Sequence, residues 1–456
     1  MTSKIEALEK QKIGSLIASY SIPAIIGMLV MASYNIVDRI FVGRGVGTDA
    51  ISAIAITFPV SIVIMGFGQL VGVGSMSLIS ISLGQKKKEE AEKILENAFS
   101  LVLLISLSLT ALITLTLNPL LSLLGGVGDV HTYAYQYLSI IILGIPLSFV
   151  AFSMNGIIRA EGSPKMALVT ILISGILNTI FNPIFIFVLH MGIRGSATAT
   201  VISQIIGAVW VISYFRGKRS YLKLKRISFD RTVVWRIFTI GISPFIMQVA
   251  GSLIYFLFNK TLLTYGGNVA VAAMGIGGSF VMLIMMPIYG LNQGIQPIIG
   301  YNYGARQIGR VLETLRKGTA IATGVCVLGF LAAMFFSRQI ITVFNSQDEQ
   351  LISIGSRALK IFLLMLPFNG FQIVGWAYFQ AIGKPKQSLI LTTTKQILFV
   401  VPLILILPGF LGLDGVWMAG AIADFLAACL AGTLIFIEVR RLKQLEHELS
   451  VAVVQV

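Results

Sequence analysis

The chain has 456 residues, 56% hydrophobic and only 12% charged, with 34 Lys and Arg against 19 Asp and Glu. Soluble domains carry about 25% charged residues, so this balance and a mean hydropathy of +0.89 exclude a soluble globular enzyme and a disordered scaffold. The apolar runs are continuous rather than alternating, which excludes an outer-membrane barrel, and they reach the ~20 residues a helix needs to cross a bilayer.

Residues 1–14 are polar and read as a cytoplasmic N-terminal segment, with Ile5 to Leu16 able to lie as an amphipathic helix on the membrane surface. No cleavable signal is evident, because the first apolar run continues past Val30 without a small-residue cleavage site. Twelve spans follow, at 15–43, 50–82, 95–124, 131–158, 166–190 and 194–216, then 238–265, 270–303, 315–345, 351–380, 387–410 and 413–438. The chain therefore divides into an N-lobe at 15–216, a basic cytoplasmic linker at 217–237, a C-lobe at 238–438 and a cytoplasmic tail at 439–456.

Lys and Arg set the expected orientation. Counting the termini and alternate loops, 26 of the 34 fall on one side, eight of them between Arg216 and Arg236; seven fall on the other, and Lys395 lies within a span. Both termini are therefore expected in the cytoplasm of a plasma (bacterial inner) membrane protein. The basic excess is read as positive-inside loops, with no nucleic acid as partner and the lipid bilayer as surroundings. Cys326 and Cys429 lie in apolar runs and His131, His190 and His447 are isolated, so neither a metal nor a cofactor is expected.

The chain repeats itself. Pro23 and Pro244, Tyr34 and Tyr255, and Pro146 and Pro367 are each 221 apart. Ala160-Glu-Gly162-Ser-Pro164-Lys165 recurs as Ala381-Ile-Gly383-Lys-Pro385-Lys386, and Gly192-x-x-Gly195 recurs 220 later as Gly412-x-x-Gly415. Shared turn preferences would not hold one phase over so long a stretch. The expected fold is an all-α polytopic membrane protein. It has two homologous six-helix bundles around a central cleft, related by a pseudo-two-fold axis along the membrane normal.

Ionisable residues within spans are costly and point to function. Asp38 shares a helix face with Gly27, Met31, Tyr34 and Asn35. It either pairs at the interface with Arg39 or Arg44, or serves as an acid in a half-apolar cavity that takes up a proton or cation. Span five carries Ser174, Asn178 and Asn182 at intervals of four, then Pro183, which deprives the Thr179 carbonyl of its donor. Thr200 and Gln204 in span six, and Tyr133 and Tyr137 in span four, add polar stripes. In the second half Asn259 replaces the acid, and Lys395 and Asp424 on consecutive spans either pair structurally or take part in coupling. Met31, Tyr34, Asn35, Gln204, Met282 and Met286 are candidates for a substrate cavity, methionines suiting ligands of varied shape. There is no phosphate-binding loop, so transport would draw on an ion gradient.

The N-x-V-D-x-x-F-V-G-R run ending at Arg44, the R-A-x-G-x-P-K turn after span four, the G-x-x-G-x-A-x-A-T start of span six and the G-L-D-G-V-W segment before span twelve resemble the MATE (multidrug and toxic compound extrusion) transporters. The likeness covers the whole chain and is nearest to the bacterial multidrug-efflux branch. It implies a non-enzymatic antiporter, working as a monomer, that exports cationic drugs or dyes in exchange for H+ or Na+ and so contributes to antibiotic resistance. It places a cation site on Asp38, Tyr137, Asn178, Asn182 and Thr200. Two departures matter: Asn182 stands where related members have an acid, and Ser252 and Asn369 stand where another branch has C-lobe acids. One carboxylate favours a proton, while the oxygens of Asn178, Asn182 and Thr200 keep Na+ open. A lipid-linked precursor flippase of the same superfamily is the alternative; it should need more cationic residues along the cleft.

Overall fold

The computed structural model describes residues 2–344 and 346–454, and among them every regular element is helical. In order these are α1 (Thr2–Lys10), α2 (Ile13–Gly45), α3 (Thr48–Gly84), α4 (Lys88–Leu115), α5 (Leu117–Leu123), α6 (Gly128–Ala160), α7 (Pro164–Pro183), a π-helical turn (Ile184–Val188) and α8 (Ile193–Arg216). They continue as α9 (Arg231–Gly304), α10 (Ile308–Phe344), α11 (Glu349–Phe362), α12 (Leu366–Ala381), α13 (Pro385–Thr393), a second π-helical stretch (Thr394–Val400) and α14 (Val401–Val454).

Nine helices among the described residues are long and apolar enough to cross a bilayer, and the α11–α12 pair, bent by 49°, makes a tenth. Helix α9 has 74 residues. Unbroken, it would run about 110 Å at ~1.5 Å per residue, against the ~30 Å of a hydrocarbon core. It is divided at Gly267, whose φ of +63° is not helical. The stretch Pro385–Glu448 is likewise divided at Gly412. Each long helix thus supplies two spans, and the total is twelve, six in each half of the sequence.

The repeat is visible in the backbone. Gly192 has φ 58° and ψ −138°, and Gly412 has φ 58° and ψ −137°, a conformation open almost only to glycine. Lys86 and Arg306, 220 apart, are both left-handed, at φ 61° and 57°. The turns between spans are therefore duplicated with their strain intact.

Two compact units form, one of Met1–Gln11 with Ile22–Gln248 and one of Lys12–Ser21 with Val249–Val456. The chain passes between them within α2 and within α9. In the second unit, a Cβ on Gly294 would lie 2.8 Å from Ser21 Cα, and Ser21 Oγ donates to the Leu291 carbonyl at 3.4 Å. In the first unit Gly74, 220 residues earlier, makes the same room for the Ile237 carbonyl at the start of α9. Each unit thus takes in the first turns of a helix whose remainder belongs to the other. The expected amphipathic helix over Ile5 to Leu16 is instead two helices broken at Gln11 and Lys12. Leu8 is buried on one side of the break and Ile13 and Leu16 on the other, and the break coincides with the passage from the first unit to the second.

The basic segment at 217–230 is packed along the first unit. The buried Glu161 carboxylate accepts hydrogen bonds from Tyr214 Oη, from Ser220 Oγ at 2.7 Å, and from the backbone N–H groups of Tyr221 and Leu222 at 3.1 and 3.0 Å. Buried Glu92 pairs with Lys225 and Glu96 with Arg226, and Asn97 Oδ1 accepts from the Asp230 N–H. Lys93 beside Asp230 holds that carboxyl below the usual range. Acids of α4 thus pair with Lys225 and Arg226, and Glu161, after α6, holds the segment's backbone.

Glu161→Ala removes the acceptor from four donors, two of them backbone groups; leaving a buried donor unsatisfied costs about 1–3 kcal/mol. Trypsin should then cut at Lys218 to Lys225 about tenfold faster than in wild type, as read by limited proteolysis, with the melting temperature lowered.

Candidate functional site

The first unit gathers the polar residues of α2, α7 and α8 at one point. Pro183 cannot donate to the Thr179 carbonyl, and the helix continues as the π-helical turn Ile184–Val188. Glycine contacts fit two neighbours to this turn. A Cβ on Gly45, at the end of α2, would lie 2.9 Å from Phe187, and one on Gly195, at the start of α8, would lie 2.9 Å from the Phe185 backbone. Gly175 of α7 similarly faces Val30 and Tyr34 of α2. These close approaches bring Asp38, Asn182 and Ser196 together.

Asp38 is half-buried. Its Oδ1 accepts from Asn182 Nδ2 at 2.5 Å and from Ser196 Oγ at 2.7 Å. Asn182 Nδ2 also approaches Asn178 Oδ1 at 3.3 Å, and Asn178 Nδ2 donates to Thr200 Oγ1 at 3.0 Å. One chain of hydrogen bonds therefore runs from Thr200 through Asn178 and Asn182 to Asp38 and back to α8 at Ser196. Tyr137 and Tyr34 lie within electrostatic reach of Asp38. Among the described residues Asp38 forms no ion pair, and Arg39 lies over the Phe58 ring instead; the interfacial pairing with Arg39 or Arg44 is thereby set aside. The arrangement offers one carboxylate with neutral donors on one oxygen, and the buried Asn182 Oδ1 has no partner. It can hold one proton or one small monovalent cation, with Asp38, Asn182, Asn178 and Thr200 supplying oxygens.

Ser196 was not singled out from the sequence. It lies four residues before Thr200, so the stripe of Thr200 and Gln204 extends one turn back to it. Other candidates are dispersed. Asn35 is exposed and turns back to its own helix, donating to the Met31 carbonyl at 2.7 Å. Gln204 lies against Gly144 of α6. Met282 is exposed, whereas Met286 is buried in the second unit.

In the second unit Lys395 Nζ lies 2.7 Å from Asp424 Oδ1 and donates to Gln372 Oε1 at 3.0 Å. Asn369 Nδ2 donates to Asp424 Oδ2 at 2.9 Å. Both charges thus have a charged and a neutral partner, and the π-helical stretch Thr394–Val400 carries the lysine.

The MatE family model matches this chain twice, over residues 23–184 and 244–406. The multidrug export protein MepA of Staphylococcus haemolyticus (strain JCSC1435) is 31% identical over 433 residues, 94% of each chain. MepA of Staphylococcus aureus (strain NCTC 8325 / PS 47) is 29% identical over 434 residues, 94% of this chain and 95% of the relative. Among solved structures, a MATE protein in a bent conformation superposes with a TM-score of 0.90 at 27% identity, covering 97% of this chain and 98% of that one. A MOP superfamily transporter from Pyrococcus furiosus gives 0.89 at 27% identity, covering 96% and 98%.

Lys395 and Asp424 are half-buried; removing one member of a fully buried ion pair costs about 3–5 kcal/mol, an upper bound here, whereas replacing both with apolar residues is often neutral. Lys395→Met should therefore lower the amount of folded protein, and adding Asp424→Leu should restore much of it. Fluorescence-detected size-exclusion chromatography reads both, and a double variant worse than either single one would refute a mutually stabilising pair.

Proposed function

This chain belongs to the MatE family of membrane transporters, and we propose that it is a multidrug exporter that couples the outward movement of amphipathic, mostly cationic organic compounds to inward movement of H+. The observation that carries the coupling is Asp38, the carboxylate to which the polar groups of α7 and α8 converge. The naming of its relatives as multidrug export proteins supports the substrate class. The 26-to-7 distribution of basic residues supports cytoplasmic termini. With two six-span units in one chain, the working form is a monomer.

Ionised Asp38 holds Asn182 and Ser196 by charge-assisted hydrogen bonds, which are roughly twice as strong as neutral ones. A proton on the carboxylate removes that charge and weakens the hold of α2 on α7 and α8. A cationic compound favours the ionised state, the proton opposes it, and each lowers the affinity for the other by the same factor. A single carboxylate fits a proton better than Na+, which prefers several hard oxygens.

The test is dye export in proteoliposomes driven by a pH jump, with a Na+ gradient as the parallel arm. Asp38→Asn preserves shape and hydrogen bonding but cannot titrate; it should still bind a fluorescent lipophilic cation, with the lower affinity of the protonated state at every pH, yet lose uphill transport. Uphill transport near the wild-type rate would remove Asp38 from the coupling role. Transport in wild type driven only by the Na+ gradient would replace the proton with Na+. Topology is checked separately: a cysteine introduced at Lys218 should react with an impermeant maleimide only from the cytoplasmic side.

A further inference from the structure

The second unit buries polar groups that neither its fold nor the Asp38 site requires. On α9, Asn292 and Gln296 are one turn apart. Asn292 Nδ2 reaches the Ile373 carbonyl of α12 at 3.3 Å, and Gln296 Nε2 donates to Gln380 Oε1 at 3.0 Å. Beyond them Glu438 of α14 pairs with Lys384 and lies within electrostatic reach of Tyr378 and Tyr303. At the opposite end of α12 stand Asn369 and Gln372, bonded to Asp424 and Lys395. Residues 369 to 380 of one helix thus run from the half-buried Lys395–Asp424 pair to the buried Glu438.

Between the Lys395–Asp424 pair and Glu438, five side-chain atoms on α12 and the helices packed against it are buried without a protein partner: Asn369 Oδ1, Asn292 Oδ1, Gln380 Nε2, Tyr378 Oη and Glu438 Oε1. Gln380 and Tyr378 are 0% exposed, Asn292 4% and Glu438 6%. Each unpaired atom is costly in an apolar surrounding, and five of them between the ion pair and Glu438 point to partners that are small and both donate and accept, as water does. The repeat supplies an internal control. At the offsets of 220 for α9 and 221 for α12, Gly72 stands for Asn292, Met76 for Gln296, Ala151 for Gln372 and Ile157 for Tyr378, while Ser148 stands for Asn369 and Arg159 for Gln380. The first unit therefore has glycine or an apolar residue at four of these six places and a polar one at the other two.

We infer that α12 of the second unit lines an internal row of water molecules that joins the Lys395–Asp424 pair to Glu438 and Lys384 and conducts protons between them. A proton accepted at Glu438 moves along the row as one O–H bond forms and the next breaks, and ends on the Asp424 carboxylate. Lys395 keeps its three protons and its bond to Gln372. Asp424 is faced by Lys395, Asn369 and, electrostatically, Cys326 of α10. The water row is independent of the export reading; its use as a proton path rests on that reading.

Hydroxyl-radical footprinting of the purified wild type tests the row directly, since radicals formed in bound water attack adjacent side chains. Tyr378 should be modified about tenfold faster than Phe149, an aromatic equally buried in the first unit. Equal inertness of the two would overturn the row. The variant Gln296→Met with Gln380→Leu removes both partners of one bond and plugs the column with apolar groups. It should fold, bind dye as wild type does, and lose about tenfold in pH-driven export. Export at the wild-type rate in that variant would overturn the proton path. If wild type moves no dye under any gradient, the export reading fails while footprinting still decides the row.

Discussion

A polar group placed in hydrocarbon must find its partner within the protein, and this requirement organises the whole chain. Asp38 would be prohibitive on an isolated span. It is tolerable because Asn182 and Ser196 arrive from two other helices to donate to it. Those helices can arrive only because α7 loosens into a π-helical turn after Pro183 and glycines let α2 and α8 close on that turn. The site and the packing that supports it are thus one arrangement. The Lys395–Asp424 pair answers the same requirement differently, by mutual neutralisation with Asn369 and Gln372 as supports.

The two halves share a backbone and differ in chemistry. Matching dihedral angles at Gly192 and Gly412, and matching close approaches at Gly74 and Gly294, show that turns and crossings are duplicated. The acid at Asp38 has become Asn259, while the apolar Ile157 has become Tyr378. Positions that shape the backbone tolerate few residue types, because a Cβ or an ordinary φ would be excluded there. Positions that face the interior of a unit accept polar or apolar side chains provided their neighbours change with them. One architecture can therefore carry a carboxylate site in one unit and a buried polar column in the other.

Much of this was legible in the sequence, for identifiable reasons. Span number and repeat follow from long apolar runs held at one offset, and the break at Pro183 follows from the missing N–H. Asn178, Asn182 and Thr200 were legible because a helix face is set by spacing. Ser196 was not, because a lone serine among alanines matters only once Gly195 has pressed α8 against the π-helical turn. The docking of residues 217–230 was hidden for a related reason. A run of Lys and Arg reads as solvated until Glu92, Glu96 and Glu161, distant in sequence, are seen to be buried beneath it. Asn35 shares the face of Asp38 on paper, yet its short side chain satisfies itself on the Met31 carbonyl.

The exchange of helix ends between the units bears on the order in which the protein can be assembled. Residues 12–21 leave the ribosome long before their packing partners around Leu291 and Gly294, which are made some 270 residues later. During synthesis the start of the first span must wait in the bilayer beside an unfinished neighbour. The second half, for its part, cannot complete its core without a segment made long before it. The first unit depends likewise on residues 231–248, which follow its sixth span. The first unit can therefore close once residue 248 is made and the second only when its last spans arrive, and a chain stalled at the linker would leave neither one whole.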